Sequence, residues 1–386
     1  MKNKLIRITT VPLSLEKLLE HQLKFMQQHY QVTAVSADEP RLKEVGKKEG
    51  VDVFSVELTR QITPVADLKA LFKLYRFLKK EKPLIVHSHT PKAGTIGMLA
   101  AKLAGVPHRL HTVAGLPLME VTGKKRQLLN LVEKVTYACA TRVYPNSFGL
   151  KEIIIKENFC TANKLKVIGK GSTNGINTDY FNPEHFTVSE RQSLKMELNI
   201  KDEDQVFIFV GRLVGDKGIN ELVAAFKILN KDLPDSKLLL VGDQEQELDP
   251  LFPDSMEEIK NNPDIISVGY QADVRPYFAI SDVLAFPSYR EGFPNVVMQA
   301  GAMGLPSIVS DINGCNEIIV ENKNGWIVPP KNMSALLDAM IKFVNNKAEV
   351  DKLKPDIRNT IVDLYGQKAV WDAILAEYRA LENKNV

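Results

Sequence analysis

Short apolar runs rich in β-branched and aromatic residues recur along the chain, and between them apolar positions return every three or four residues. In the first half the runs are KLIRITT, QVTAVSA, PLIVHSH, PHRLHTV and TRVYPNS; in the second they are QVFIFVGRL, KLLLVGD, ISVGY, VLAFPS and PSIVSD. Stretches such as SLEKLLEHQLKFMQQH and PVADLKALFKLYRFLKK have helical spacing. Runs this continuous predict parallel strands covered on both faces, because a strand with one wet face alternates apolar with polar residues. The alternation predicts an α/β protein with two Rossmann-like domains. The first is expected over residues 1–178 and the second over 204–362, with a linker at 179–203 where NPEHFTVSERQSLKMELNIKDEDQ loses β character. The last piece, 363–386, is expected to pack back on the first domain. Within it YGQKAVWDAILAEYRALEN predicts one amphipathic helix with Val370, Ile374, Leu375 and Tyr378 on its apolar face.

Composition agrees with this picture. A chain of 386 residues suits two cores better than one. No stretch approaches the ~20 consecutive apolar residues of a membrane span. MKNKLIRITTVPLS lacks the apolar segment of a signal peptide, which predicts a cytoplasmic protein. Cys139, Cys160 and Cys315 are few, odd in number and far apart, so reduced thiols are expected.

Charge is distributed unevenly. Residues 1–200 carry 31 Lys and Arg against 18 Asp and Glu, whereas the remainder carries 19 against 29. A basic half suits nucleic acid, an anionic membrane surface or phosphorylated substrates. No helix-turn-helix, RNP-like or zinc-finger pattern accompanies the charge, so nucleic acid is not expected as a partner.

Parallel sheets bind ligands beyond the carboxyl ends of their strands. After VFIFV come Gly211-Arg212-Leu213 and then Asp216-Lys217-Gly218. Arg212 offers a forked donor and Lys217 a point charge, a combination suited to a diphosphate, although solvated charges on a surface turn give the same pattern. Neither a Walker lysine motif nor G-x-G-x-x-G is present, so no NAD or similar cofactor is expected. In YREGFPNVVMQ, Pro294 suits the first position of a helix, and the free amides around Phe293 to Val296, among them Asn295, would face outward with the helix dipole behind them. Glu291 just ahead can accept hydrogen bonds from sugar hydroxyls, or can serve only as a cap. Gln299 is a second polar residue on an otherwise apolar helix. His87 and His89 share one face of a strand, but no third ligand stands at a supporting spacing and no Asp-x-Asp lies in a suitable loop, so no metal is expected.

The set GRL…DKG, PSYREGFPNVVMQA, GLPSIVSDINGCNEII and NGWIVPP resembles the retaining glycosyltransferases of family 4, which have the GT-B fold of two Rossmann-like domains facing a cleft. VHSHTPKAGTIGMLAAKLAGVPHRLHTVAGLP is similar to the acceptor-side domain of bacterial members that build capsule, O-antigen or other surface polysaccharides. GKGSTNGINTDYFNP, which contains Asn174, resembles their interdomain segment. The resemblance implies transfer of a hexosyl or N-acetylhexosaminyl group from a nucleotide diphosphate sugar, with UDP the expected nucleotide, to a polyprenyl diphosphate-linked or saccharide acceptor. It assigns Arg212 and Lys217 to the diphosphate, Glu291 to the donor sugar, and Gly211 and the Gly292–Val296 backbone, around Pro294, to donor contacts. The family's E-x7-E has Gln299 in place of its second Glu, so the ribose contact loses its charge. His111 falls near the donor sugar and acceptor, or is simply a strand-end histidine; Ala114 stands where many relatives have another His. Thr10, Lys92, His89 and Asn174 are the expected acceptor-side residues.

Ser14 is the expected N-cap of the first helix. In TGKKRQLLNLVEKV, Lys124, Lys125 and Arg126 adjoin the apolar Leu128, Leu129, Val132 and Val135, a pattern that packs into the domain or docks on the anionic inner face of the plasma membrane. Two rival functions share these residues: a nucleotide-sugar epimerase of similar fold and a non-catalytic sugar-nucleotide binder.

Overall fold

The computed structural model describes residues 2–59, 61, 63–116, 118, 121–245 and 249–383. They separate into two compact units, Met1–Gly175 with Gln367–Val386, and Ile176–Gly366. The first contains β1 (Lys4–Ile8), β2 (Gln31–Ser36), β3 (Asp52–Ser55), β4 (Ile85–His89), β5 (His108–Val113) and β6 (Arg142–Pro145), ordered β3-β2-β1-β4-β5-β6. The second contains β7 (Gln205–Val210), β8 (Ser236–Val241), β9 (Ile265–Ser267), β10 (Val283–Phe286), β11 (Ser307–Ser310) and β12 (Gly325–Val328), ordered β12-β11-β10-β7-β8-β9.

Every ladder between these strands is parallel. Each sheet therefore has the doubly wound order, and the chain reverses direction across the sheet beside the first strand of each unit. Burial explains the continuous apolar runs. Val206, Phe207, Ile208 and Phe209 of β7 are all fully buried, because helices cover both faces of a parallel sheet.

Two strands escape the apolar-run pattern. β3 is a four-residue edge strand whose residues are exposed or half-buried, and β12 is four residues long between Gly325 and a proline-rich turn. The stretch expected to form one helix over 14–29 forms two, Pro12–Leu18 and Gln22–Gln27. Between them His21 takes a left-handed φ of 60°. The buried carboxylate of Glu49 accepts the backbone N–H groups of His21 and Lys24, each at 3.1 Å, and so supplies the cap that the His21 side chain does not give the second helix. Ser14 is not the N-cap. Val11 is, with Pro12 behind it, and Ser14 lies inside the first turn, its N–H bonded to the Val11 carbonyl at 3.0 Å.

The segment 179–203 holds a short turn at Pro183–His185 and a helix, Val188–Glu197, closed by a Thr187–Glu190 capping box. After Gly366 the chain returns to the first unit as the helix Gln367–Glu382. Val370, Ile374, Leu375 and Tyr378 are buried there against Leu5, Leu15 and Tyr30, as the apolar face predicts.

Candidate active site

In the second unit, loops from the carboxyl ends of β7, β8, β10 and β11 meet. Leu213 N–H donates to the Asp243 carbonyl at 2.8 Å, which ties the loop after β7 to the loop after β8. A short 3-10 turn, Gly215–Lys217, then leads through Gly218 into the helix Ile219–Asp232. Gly218 has φ 71°, and a Cβ there would overlap the carbonyl oxygen of Pro287. Only glycine lets this turn lie directly on the loop after β10. Polar contacts hold the two loops together: Tyr289 N–H donates to the Asp216 carbonyl at 2.9 Å, the Ser288 hydroxyl lies 3.5 Å from the same carbonyl, and Arg290 Nη2 lies 2.6 Å from Asp216 Oδ2.

This docking puts Lys217 Nζ 2.5 Å from Glu291 Oε1, with both side chains less than one-fifth exposed. The Ser288 hydroxyl also donates to Glu291 Oε1, at 3.2 Å. From the loop after β11, Asn313 Nδ2 donates to the carbonyls of Glu291 and Gly292 at 2.5 and 3.1 Å. Gly314 follows with φ 78°, and a Cβ on it would stand 2.7 Å from the Gly292 oxygen and 2.8 Å from Phe293 Cα. The backbone around Glu291 is thus clamped from both sides. The nearby Cys315 thiol is buried and pushed well above its usual pKa, first by burial and then by the Glu291 charge, with Lys217 opposing. It stays protonated, which removes it as a nucleophile.

Arg212 takes no part in the Lys217–Glu291 pair. Its Nη1 bonds Glu245 Oε2 at 2.7 Å, and its side chain is half-exposed. Gly211, just before it, donates to the Val241 carbonyl at 3.0 Å. The helix after β10 runs Asn295–Ala302, so Pro294 is its N-cap and not its first helical residue as expected. The proline ring fixes φ at −75°, but ψ is 114°, extended backbone rather than helical. Asn295 and Val296 consequently open the helix, with Phe293 buried beneath the turn. Gln299 is half-buried, and its side chain has no hydrogen-bond partner among the described residues.

In the first unit the expected residues fall into separate groups. Thr10 bonds Thr90 twice, through its N–H at 3.1 Å and between the hydroxyls at 2.8 Å. Lys92 Nζ is 2.5 Å from Asp67 Oδ2. His89 and Asn174 belong to one buried network centred on Arg7. Arg7 Nη2 donates to Gln22 Oε1 at 2.5 Å and to His89 Nε2 at 2.9 Å, and Gln22 Nε2 donates to Asn174 Oδ1 at 2.9 Å. Trp371 Nε1 donates to the same Asn174 oxygen at 2.7 Å.

Arginine only donates, which fixes one tautomer in the network. His89 must accept at Nε2. Arg7 Nη1 donates to the Tyr378 hydroxyl at 3.2 Å, that hydroxyl lies 2.5 Å from His87 Nδ1, and His87 Nε2 lies 2.7 Å from Thr112 Oγ1. Burial, reinforced by neighbouring positive charge, holds both histidines well below their usual pKa. His111 is apart from this network, with Nδ1 2.9 Å from Ser88 Oγ and its ring against Gly94, where no Cβ would fit. Burial lowers its pKa to about 4, so it is neutral at pH 7.

Residues 190–360 match the family described as "Glycosyl transferases group 1", and residues 16–147 match "Glycosyl transferase 4-like". The capsular polysaccharide biosynthesis glycosyltransferase CapM of Staphylococcus aureus is 32% identical over 385 residues, covering 98% of this chain and 97% of CapM. The chain belongs to the group 1, family 4-like glycosyltransferases. An Escherichia coli relative, UDP-Gal:alpha-D-GlcNAc-diphosphoundecaprenol alpha-1,3-galactosyltransferase, is 32% identical over 80% of this glycosyltransferase and 79% of its own length. The crystal structure of Anabaena Alr3699/HepE in complex with UDP superposes with a TM-score of 0.81 over 98% of this chain and 100% of that one. At 18% identity this likeness shows the shared GT-B fold.

Membership favours the transferase over the epimerase alternative. The glycosyltransferase brings Lys217 and Glu291 into contact, leaves Arg212 on Glu245, and keeps His89 and His111 buried. Three residues that shape the site had no role in the sequence reading: Ser288, Asn313 and Asp216. An Asn-Gly pair such as Asn313-Gly314 favours a turn, but a turn signal does not reveal which carbonyls its side chain will reach.

Proposed function

We propose that this glycosyltransferase takes the sugar of a UDP-sugar and transfers it, with retention at the anomeric carbon, to a saccharide carried on a polyprenyl diphosphate during assembly of a bacterial surface polysaccharide. The observation that carries the reading is the half-buried Lys217–Glu291 pair at the ends of β7 and β10, a cation beside an acceptor of hydroxyl hydrogen bonds. The name of the Escherichia coli relative supports the acceptor class, and the UDP bound to HepE supports the nucleotide.

In this mechanism Lys217 exchanges Glu291 for a phosphate oxygen of the donor, and the freed carboxylate receives sugar hydroxyls. Arg212 leaves Glu245 for the same diphosphate, and the amides of Asn295 and Val296 add fixed donors. Gln299 accepts a ribose hydroxyl without a charge. As the bond from the anomeric carbon to the phosphate oxygen breaks, negative charge grows on the leaving group, and donors fixed there stabilise the transition state more than the ground state. The acceptor oxygen bonds the anomeric carbon on the same face and gives its proton to the departing phosphate oxygen. His111, neutral and buried against Ser88, is not needed as a base. The first unit holds the acceptor, with Thr10, Lys92, His89 and Asn174 on that side, and its basic surface meets the anionic inner face of the membrane.

The test incubates the protein with a panel of UDP-sugars and a GlcNAc diphosphate on a polyprenyl chain, then assigns the anomeric configuration of the product by NMR. One UDP-sugar should be incorporated with the donor's configuration. Inversion overturns the mechanism. Conversion of the nucleotide sugar without an acceptor, or binding without turnover, overturns the function.

A further inference from the structure

Ser88 and His111 are register partners across the β4–β5 ladder, and Ser88 pairs with Ile8 of β1 on its other side. Partners in register share one face of a sheet. The helix Pro91–Ala104 covers that face at close range, which two glycines one turn apart permit. A Cβ on Gly94 would overlap His111 Cε1, and one on Gly97 would stand 3.1 Å from Ile8 Cδ1 and 3.7 Å from Ser88 Cβ. Tyr137 packs beside the imidazole, with ring centroids 6.0 Å apart. His111 is therefore confined, and only 3% exposed.

The hydrogen bonds around the ring decide where its proton sits. Ser88 Oγ lies 2.9 Å from His111 Nδ1 and 3.4 Å from the Leu110 carbonyl oxygen. With the proton on Nδ1 both contacts are hydrogen bonds, because Ser88 accepts from the ring and donates its single proton to the carbonyl. With the proton on Nε2, the hydroxyl would have to turn to Nδ1 and leave the carbonyl. Nδ1 thus carries the proton and Nε2 a lone pair. A hydrogen bond to the Ser88 backbone acts in the same direction, opposing the burial that lowers the His111 pKa to about 4. Nε2 has no hydrogen-bond partner among the described residues, and a buried acceptor left unpaired is costly.

The fold says what would pair with it. Ser88 is the penultimate residue of β4, His111 lies two residues before the end of β5, and Gly94 is in the first turn of the helix that follows β4. Ligands of parallel sheets bind beyond this carboxyl edge. We propose that Ser88 is a positioning residue for the transfer: it fixes His111 in the Nδ1–H tautomer, so that Nε2 accepts a hydrogen bond from a hydroxyl of the acceptor sugar. An ionised phosphate oxygen has no proton to offer a lone pair, whereas a sugar O–H does. The hydroxyl is one that does not react, because the reacting one gives its proton to the departing phosphate oxygen. The acceptor as its source rests on the function proposed above; the tautomer does not.

The full chain with isotope-labelled histidine is read by NMR, through couplings from the carbon-bound ring protons to both ring nitrogens, and His111→Asn identifies the signals. At pH 7 the wild type should show a protonated Nδ1 and an unprotonated Nε2, a result that needs no variant to fold. Ser88→Ala should move protons to Nε2, and Ser88→Thr, which keeps the hydroxyl, should restore the wild-type pattern. In transfer assays Ser88→Ala should raise the acceptor KM by about 10-fold and leave the donor KM unchanged, since one hydrogen bond is lost from ground and transition states alike. Acceptors lacking one hydroxyl at a time complete a cycle. One of them should cost the wild type the same ~10-fold and cost Ser88→Ala nothing more. An Nε2–H tautomer in the wild type, or an unchanged tautomer in Ser88→Ala, overturns the proposal. So do equal losses in both proteins for every deoxy acceptor, or a rise in the donor KM in place of the acceptor KM. Absence of transfer to any polyprenyl diphosphate-linked acceptor, with the Nδ1–H tautomer present, overturns the proposed function and the acceptor contact with it, while the hold of Ser88 on the tautomer stands.

Discussion

Lys217 and Glu291 are 74 positions apart in the chain, and each is the other's ion-pair partner. Neither residue is informative alone, since a lysine in a turn and a glutamate before a helix are common surface features. Their contact is what the proposed donor site rests on, and it makes a prediction. If Lys217 meets the leaving diphosphate as proposed, Lys217→Ala should lower kcat by ~100-fold or more. Glu291→Gln should lower kcat more than it weakens donor binding, because its hydroxyl contacts matter most in the transition state. Initial rates and donor dissociation constants for both variants check this, and near-normal turnover in both would remove the assignment. Asn313 acts one step further out, as a positioning residue that holds the Glu291 and Gly292 carbonyls. Asn313→Ala should lower kcat by ~10-fold while leaving the melting temperature within a few degrees, since the cost falls on geometry at the site. Loss of stability without a kinetic effect would make Asn313 purely structural.

Among the elements, the broken helix near the amino terminus shows how tertiary contact overrides local preference. Apolar spacing runs through residues 14–29 without interruption, yet the chain kinks at His21 because Glu49, from the helix Glu39–Glu49, takes two backbone amides there. A buried carboxylate in this role is replaced poorly by a residue that cannot accept both bonds. Glu49→Leu should therefore destabilise the protein by about 1–3 kcal/mol, measured by urea denaturation. An unchanged midpoint would show that the kink is set by something other than this cap. The strands tell the complementary story. Ten of the twelve lay in apolar runs, whereas β3 and β12 were too short and too exposed, or too closely bounded by glycine and proline, to carry a periodic signal.

At the scale of the whole molecule, the helix Gln367–Glu382 returns to the first unit and places Tyr378 and Trp371 in the network of Arg7, His87, His89 and Asn174. Arg7 is fully buried and has no carboxylate partner in that network, so its neighbours must remain neutral. This gives stability a pH dependence of definite sign. His87, His89 and His111 are all depressed in the folded chain, so below the ordinary histidine pKa of about 6.5 the unfolded chain binds more protons. Their contribution is fully present above that value and is lost as pH falls through it. The melting temperature should drop between pH 7.5 and pH 5, and the drop should shrink when His111 is replaced by Asn. A flat profile over that window would contradict the neutral network.

The sequence by itself determined the two parallel α/β units, the apolar face of the last helix and the candidate residues at strand ends. Those follow from local periodicity, and the continuous runs carry it because strands buried on both faces leave few positions for polar residues. The tertiary structure alone decided that Lys217 pairs with Glu291 while Arg212 turns to Glu245, that Asn313 clamps the loop, and that His89 and His111 are buried. Such contacts depend on strand order, which sets β10 beside β7 although two strands intervene in the chain, and on the absence of a Cβ at Gly218. Residue spacing records which face a side chain takes on its own element; only packing determines which distant loop lies against it.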